Sequence, residues 1–357
     1  MGKENLILLC TLMLLTACAY HSGPVSDHFD GTVFFNEEDA NTFTDHLKWL
    51  WEMEEVRWPE WVDDSAQPPP PERVGAGGLR LTYVNQSTVL VQLEGLNILT
   101  DPFWSDRAGP FSLLGSKWVR KPGVAVEDLP PIDLVLISHD HYDHLDLPTM
   151  EALWQRHKPL VLVGLGVKKR LGFIDPAKVV ELDWWDEREL AGGVRVTFVP
   201  ARHQSGRGLL DTNRTLWGGY ILECGGKRIL FFGDTAYGSF LGGISERFDT
   251  FTLAVLPIGS YEKRWFMKSQ HMNPDDAVLV HKELRVEKSV GIHFSTLLEH
   301  PEQTLDAHEK DMAKALREHG VVPEDFIIPA FGEGRNFKKN LQTPVSETVR
   351  GKCPDFG

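Results

Sequence analysis

The sequence has 357 residues, of which 42% are hydrophobic and 25% charged, a composition typical of a globular protein with one large domain or two smaller ones. The formal net charge of −14 argues against a broad nucleic-acid-binding surface, because phosphate backbones are bound by clustered Lys and Arg, so no nucleic-acid partner is predicted. After residue 20, no apolar stretch approaches the ~20 residues that a membrane-spanning helix requires.

Residues 1–18 are predicted to be a lipoprotein signal peptide. A short polar start precedes an apolar run from Leu6 to Leu15, which is too short to span a bilayer and is typical of a secretory signal. The following "LTAC" resembles the bacterial lipobox, which implies that Cys18 is lipidated and that the exported protein is anchored to the cell envelope. Ala19 after this cysteine favours the periplasmic face of the outer membrane by analogy. An ordinary signal peptide with an incidental cysteine is the alternative.

Residues 19–78 are predicted to lie outside the main domain. The polar stretch up to about residue 40 is typical of a tether. A segment with four tryptophans between residues 49 and 61 either packs on the domain as a short helix or lies at a membrane interface. A proline run followed by glycines, over residues 67–78, marks the entry to the main domain.

Residues 79–340 are predicted to form one α/β (α+β) domain, followed by a C-terminal tail over 341–357. Three short strands form a meander over residues 79–102. The later predicted elements are the strand Ile132–Ser138, the helix Leu147–His157, the strands Leu160–Gly164 and Val194–Pro200, a hairpin turning at Gly225-Gly226, the strand Thr252–Gly259, the helix Asn273–Leu284 with Asn273 as its cap, the strand Lys288–Ser295 and the helix Glu302–Gly320. Two sets of strands with attached helices suggest two face-to-face sheets with helices outside.

A dense group of titratable residues, His139-x-His141-x-Asp143-His144, directly follows the predicted strand that ends at Ser138. Alternate residues of an extended segment face the same way, so the two leading histidines can bind one ion while the turn directs Asp143 and His144 to a second. Imidazole and carboxylate without thiolate suit Zn²⁺ or a similar ion. A surface histidine cluster is the alternative.

Three further polar residues occur at or near the ends of predicted strands: His203, Asp234 and His293. Each alone is more typical of a cap or a hydrogen-bonded core residue, but their joint occurrence favours a metal site, because rigid strand ends fix ligand positions. Asp140 and Asp146 are interpreted as support for the loop.

Several stretches resemble the metallo-β-lactamase superfamily and, within it, the N-acyl-phosphatidylethanolamine-hydrolysing phospholipase D family. They include "LTDPFWSDRAGP", "LISHDHYDHLD", "GDTAYG" and "LPIGSYEKRWFMKSQHMNP", and the resemblance runs from about Leu79 to Arg335. It implies an αββα sandwich with two zinc ions. The implied ligands are His139, His141 and His203 for one ion, Asp143, His144 and His293 for the other, and Asp234 as the bridge.

The chain departs from this family at Asn85-Gln86, where the family commonly has Gly-His. That histidine is not among the family's metal ligands, so we expect the metal site to be intact while substrate contacts or strand support differ.

The resemblance further implies a zinc-dependent phosphodiesterase of phospholipase D type. In this family a metal-bridged hydroxide attacks phosphorus and releases phosphatidate and an N-acylethanolamine. Asp143 or Asp234 would orient the hydroxide and accept its proton. The expected partners are a phospholipid substrate, a membrane surface and, in a homodimer, a second copy. Alternatives are a lactonase or soluble phosphodiesterase of the same fold, or a non-catalytic envelope binding lipoprotein.

Four residues are candidates for substrate contacts. Tyr142 lies inside the histidine motif and either contacts substrate or packs. Arg207 follows a predicted ligand by four residues and either pairs with a phosphate or forms a salt bridge to Asp211. Gln270 and His271 follow a loop rich in cationic and aromatic residues, which suits a lipid headgroup as well as an ordinary surface loop.

Overall fold

A computed structural model describes residues 20–36, 41–54, 56–110, 115–208, 210–297 and 303–337. Two seven-stranded sheets dominate this part of the chain. The first sheet contains, in spatial order, β16 (Gly334–Asn336), β1 (Leu79–Asn85), β2 (Thr88–Leu93), β3 (Leu96–Thr100), β6 (Leu134–Leu136), β7 (Leu160–Gly164) and β8 (Val179–Leu182). The second contains β15 (Phe326–Ile327), β14 (Ser289–Ile292), β13 (Leu253–Pro257), β12 (Lys227–Phe231), β11 (Gly219–Cys224), β10 (Arg195–Val199) and β9 (Glu187–Glu189). A small separate sheet pairs β4 (Arg107–Ala108) with β5 (Ser116–Lys117).

Each large sheet is antiparallel in one half and parallel in the other. In the first sheet β16, β1, β2 and β3 pair antiparallel, whereas β3, β6, β7 and β8 run parallel. In the second, β9 to β12 pair antiparallel and β12 to β15 run parallel. Parallel strands end at the same edge of a sheet, so the segments that follow β12 and β14 start at one edge, on either side of β13.

Helices cover the outer faces of both sheets. The described helices are α1 (Phe43–Glu52), α2 (Leu147–His157), α3 (Phe240–Arg247), α4 (Arg264–Met267), α5 (Pro274–Glu283) and α6 (Ala307–His319). The main core includes Phe198, Trp217 and Tyr220, which are fully buried with side chains of both sheets. A second core lies where Met150 and Leu153 of α2 join apolar residues of the first sheet. Full burial of one such side chain contributes about 1.5–3 kcal/mol. The predicted αββα sandwich is confirmed.

The predicted helix ends agree with the structure except at one position. Asn273 caps α5 through a capping box with Asp276, and Gly320 ends α6 in the left-handed conformation. The predicted start of the last helix at Glu302 is wrong, because α6 begins at Ala307. The hydroxyl of Thr304 donates to Asp306 before that point, and such local side-chain bonds favour a turn over a helix.

The N-terminal extension contacts the domain more closely than the sequence predicts. The expected tether is wrong for residues 20–36, because Phe29 and Phe34 are buried in the main core with their ring centroids 4.6 Å apart. In the Trp-rich segment, Trp49 stacks on Phe266, which agrees with the packing alternative. Trp51, in contrast, is 91% exposed.

Three predictions concern parts of the chain outside the described residues: the signal peptide over 1–18, its lipidation at Cys18 and the tail over 341–357. Among the residues that the structure does describe, none of the helices has both the length and the apolarity needed to cross a bilayer.

Candidate metal centre

The seven predicted ligands come together in two adjacent groups. Their donor atoms lie within 4.8 Å of one another in each group. The first group is His139, His141 and His203, and the second is Asp143, His144, Asp234 and His293. In the first group, His139 Nε2 lies 2.8 Å and His203 Nε2 lies 3.3 Å from His141 Nδ1. Three imidazole nitrogens that face one point are arranged as ligands of a single ion.

These residues belong to four strand ends of the two sheets. The histidine motif follows β6, His203 follows β10, Asp234 follows β12 and His293 follows β14. The close approach of the two sheets here requires a small residue before the aspartate. A Cβ atom on Gly233 would lie 2.0 Å from Ser138 Oγ, so a larger side chain would displace the loop that carries the histidine motif.

Asp234 joins the two groups. Its Oδ2 lies 3.2 Å from the Nε2 atoms of both His144 and His293, and 3.7 Å from His203 Nε2. Its Oδ1 is buried and has no hydrogen-bond partner among the described residues. A buried carboxylate oxygen without a partner is costly, and a divalent cation would satisfy it. The donor set therefore fits two metal ions that share Asp234.

Each of three histidines is fixed by a bond at the ring nitrogen that faces away from the centre. His203 Nδ1–H donates to the carbonyl of Gln270 at 3.0 Å, and His139 Nδ1 lies 2.9 Å from Ser138 Oγ. His144 Nδ1 lies 2.7 Å from Asp101 Oδ2. A bond of this kind selects the tautomer that leaves the inner nitrogen unprotonated for a metal.

The electrostatics of the centre favour neutral histidines in the first group and positive charge at the second. Burial lowers the pKa of His139 well below its ordinary value and that of His203 to about 3, so both are neutral at pH 7. Burial alone would raise the pKa of Asp234, but the adjacent histidines lower it well below its ordinary value. Burial would likewise lower the pKa of His144, but the carboxylates of Asp143 and Asp234 raise it well above its ordinary value. The two carboxylates thus favour positive charge at the point where a cation fits.

A family model for the β-lactamase superfamily domain matches residues 96–294. The chain belongs to this superfamily. It is 42% identical over 229 residues to the N-acyl-phosphatidylethanolamine-hydrolyzing phospholipase D 1 of Caenorhabditis elegans, which covers 61% of this chain and 64% of that protein. It is also 34% identical over 262 residues to the mitochondrial N-acyl-phosphatidylethanolamine-hydrolyzing phospholipase D of Saccharomyces cerevisiae, covering 72% of this chain and 55% of that protein.

A solved structure of a metallo hydrolase from Ignicoccus hospitalis has the same fold, with a TM-score of 0.56 and 23% identity over 74% of this chain and all of that one. The family model and the two phospholipase D relatives confirm the predicted superfamily and the predicted family resemblance. The chain spans less than two thirds of the length of the two named relatives.

The superfamily motif is braced by the pair Arg207 and Tyr142. The Arg207 guanidinium lies 3.8 Å from the Tyr142 ring centroid, and its Nη1 donates to the carbonyls of Asp140 and Leu145. The side chain thus holds both ends of the motif turn, a structural role that the sequence did not predict. Asp211 instead forms an ion pair with Arg170 at 2.6 Å. Phosphate binding by Arg207 stays a prediction.

Gln270 and His271 both lie at the metal centre. Gln270 accepts a hydrogen bond from His203 through its carbonyl, while its side chain accepts one from Gln204. His271 is buried, with its Nδ1 3.9 Å from Asp234 Oδ2. The predicted proximity to substrate therefore corresponds in the structure to proximity to the metal ligands.

Sequence reasoning missed two residues that contact the second group. Asp101 is fully buried and binds His144, and its carboxylate also accepts bonds from the main chain and the hydroxyl of Ser138 at 2.7 and 2.6 Å. An Asp at the end of a predicted strand was an available signal for this role. Gln86 places its Nε2 3.0 Å from Asp143 Oδ2. Gln86, at the point where the sequence departs from the family, is thus in contact with one of the predicted ligands.

Proposed function

We propose that this protein is a zinc-dependent phosphodiesterase of phospholipase D type, which hydrolyses N-acyl-phosphatidylethanolamine or a related glycerophospholipid. The observation that carries the proposal is the pair of donor groups joined by Asp234. Nitrogen and carboxylate donors without sulfur suit Zn²⁺, and two neighbouring ions are typical of enzymes that cleave phosphate esters.

Two bound ions would supply an activated water at neutral pH and neutralise the charge of the phosphate. The protein's own residues set the geometry of that reaction. Asp234 lies between the two donor groups, in a position to orient the water and accept its proton, and Asp143 lies at the second group. His271, buried beside Asp234, is placed to hold a proton near the leaving alcohol.

Two observations support a lipid substrate. The named relatives in Caenorhabditis elegans and Saccharomyces cerevisiae are both described as N-acyl-phosphatidylethanolamine-hydrolyzing. A cavity of about 610 Å³, which none of the proposed metal ligands lines, also gathers aromatic and cationic side chains, which suit contact with a lipid interface. Its lining includes Trp61, Trp104, Trp118, Arg107, Lys117 and Lys121, together with the acids Asp106 and Glu127.

We further propose that Cys18 is lipidated and holds the exported protein at the periplasmic face of the outer membrane, and that two copies form a homodimer. The lipobox-like sequence supports the anchor, and the family resemblance supports the dimer. Metabolic labelling with a fatty acid would be lost in Cys18→Ser, and sedimentation of detergent-solubilised protein would give the mass of two chains. Labelling that persists in the variant, or a single-chain mass, would contradict these two proposals respectively.

The test of the enzymatic proposal is direct. Purified protein in detergent should release phosphatidate and an N-acylethanolamine from N-acyl-phosphatidylethanolamine, with about two zinc ions per chain. His203→Ala should lose bound zinc and at least about 100-fold of the activity, because a ligand to the first ion is removed. His157→Ala, at the end of α2, is the matched control. Cleavage of lactones or soluble diesters without any lipid hydrolysis would refute the substrate, and a metal-free wild-type protein would refute the enzyme.

A further inference from the structure

Gln86 occupies a constrained position between the two sheets. It lies in the turn between β1 and β2 with φ of 35°, a left-handed conformation that is uncommon for a residue other than glycine, and only 2% of it is exposed. Its main chain is tied to the second sheet on both sides. The amide of His293 donates to the Gln86 carbonyl at 2.7 Å, and the amide of Gln86 donates to Thr296 Oγ1 at 3.0 Å. The turn therefore cannot move independently of His293.

The side chain of Gln86 reaches the second donor group. Its Nε2 lies 3.0 Å from Asp143 Oδ2 and 3.0 Å from His293 Nε2. The same Asp143 oxygen lies 3.0 Å from His144 Nε2, which makes it the carboxylate atom that faces the centre. A cavity of about 20 Å³, enough for one water molecule, is lined by Gln86 and His293 among others. Gln86 is thus in contact with two of the three residues that belong to the second ion alone.

The chemistry of a carboxamide suits this position. It is neutral at every pH of interest and carries both donors and an acceptor. A carboxylate oxygen has two lone pairs, so Asp143 Oδ2 can accept from the amide with one and face an ion with the other.

We propose that Gln86 is a positioning residue of the metal centre, which holds Asp143 and His293 in place for the second ion. This inference rests on the two-metal site of the proposed function and is independent of its substrate. Its side chain acts through Asp143 and His293, which both belong to the second donor group.

The test compares three variants by zinc titration of the metal-free protein. Gln86→Met has a similar length without the amide, Gln86→Glu has the same shape with a carboxylate, and Gln155→Met, on the exposed face of α2, controls for the substitution itself. In Gln86→Met the second ion should bind about 10- to 100-fold more weakly, the range for residues that support ligands, while the first binds as in the wild type. Gln86→Glu should weaken the second ion as well, because a carboxylate cannot donate a hydrogen bond to Asp143 Oδ2 as the amide does.

Cobalt substitution gives a readout that a purely structural role would not change. The absorption of the second Co²⁺ should change in Gln86→Met while that of the first is retained, and metal-free wild type and variant should unfold at the same temperature. Wild-type affinity for both ions, or equal weakening of both with a lowered unfolding temperature, would overturn the proposal. If Gln86→Met does not fold, Gln86→Glu decides, since an unchanged second affinity there also overturns it. A protein that binds zinc as expected but does not hydrolyse lipid would refute the proposed substrate and leave this inference intact.

Discussion

Replacing Asp101 by Asn tests whether the buried carboxylate behind the metal centre controls the second ion. The native carboxylate accepts three hydrogen bonds: from the Ser138 amide at 2.7 Å, from the Ser138 hydroxyl at 2.6 Å and from His144 Nδ1 at 2.7 Å. Asn fits the space and tolerates the backbone φ of 35° at this position. The Asn side chain has one oxygen, whereas both oxygens of the Asp101 carboxylate accept these hydrogen bonds. The NH2 group of Asn must therefore face at least one of the three donors.

Two consequences follow for Asp101→Asn. If the NH2 group faces His144, the ring must accept at Nδ1 and carry its proton on Nε2, which then points into the metal site. Loss of a partner that orients a ligand costs 10- to 100-fold in metal affinity, or about 1.4–2.7 kcal/mol. If the NH2 group faces Ser138 instead, one buried donor is unsatisfied, and the metal-free protein loses about 1–3 kcal/mol of its free energy of unfolding.

The assay is competition for zinc with a chromophoric chelator, combined with urea unfolding of the metal-free protein. Asp128→Asn, at an exposed position, is the matched control. We expect Asp101→Asn to weaken the second ion or to lower the free energy of unfolding by the amounts above, while the control does neither. Wild-type zinc affinity together with wild-type stability would show that the carboxylate does not control His144, and the reasoning would be refuted.

Two further predictions concern the rest of the fold. Burial would lower the pKa of His28, but its hydrogen bonds to Asp183 and Asp27 raise that pKa above the ordinary 6.5. The protonated ring therefore stabilises the folded state. This contribution is fully present below pH 6.5 and is lost as the pH rises through the raised pKa. The difference in unfolding temperature between wild type and His28→Gln should therefore shrink with rising pH. A difference that stays constant with pH would contradict this role of His28. Lys227 and Glu94 form a buried pair at 2.7 Å, so Glu94→Gln should cost about 3–5 kcal/mol in urea unfolding. Adding Lys227→Met should recover part of that loss, and a purely additive double variant would argue against a buried pair.

The parts of the site that could be predicted from the sequence are those fixed by local periodicity. His139 and His141 alternate along an extended segment, and a strand end precedes each of His203, Asp234 and His293, so their convergence in one sandwich follows from short-range pattern and fold class. Two face-to-face sheets with helices outside were suggested by two sets of strands with attached helices, and the family resemblance implied the αββα sandwich. These features need no knowledge of which distant residues meet.

The partners of the ligands could not be predicted in this way, because they are distant in sequence. Asp101 is 43 positions from His144, and Gln86 is 207 positions from His293. An aspartate after a strand or a glutamine in a turn is ordinary by itself, and only the packing of the two sheets brings each to a metal ligand. The segment over residues 20–36 was misjudged for the same reason, since its polar composition concealed two phenylalanines that complete the main core.

The two donor groups differ in what holds them. Beyond the ligands themselves, the first group is supported by Ser138, next to the histidine motif, and by the carbonyl of Gln270 on the segment after α4. The second is supported by Asp101 and Gln86, which both belong to the N-terminal meander of the first sheet. This meander contributes no predicted ligand, and Gln86 lies before the start of the superfamily match at residue 96. Asp101 also accepts from the Ser138 hydroxyl that lies beside His139 Nδ1, so it is linked to both groups. Within the meander it is therefore Gln86 whose substitution should change the affinity of the second ion separately from that of the first. In the second group, residues outside the predicted ligands thus contribute to how tightly an ion is held.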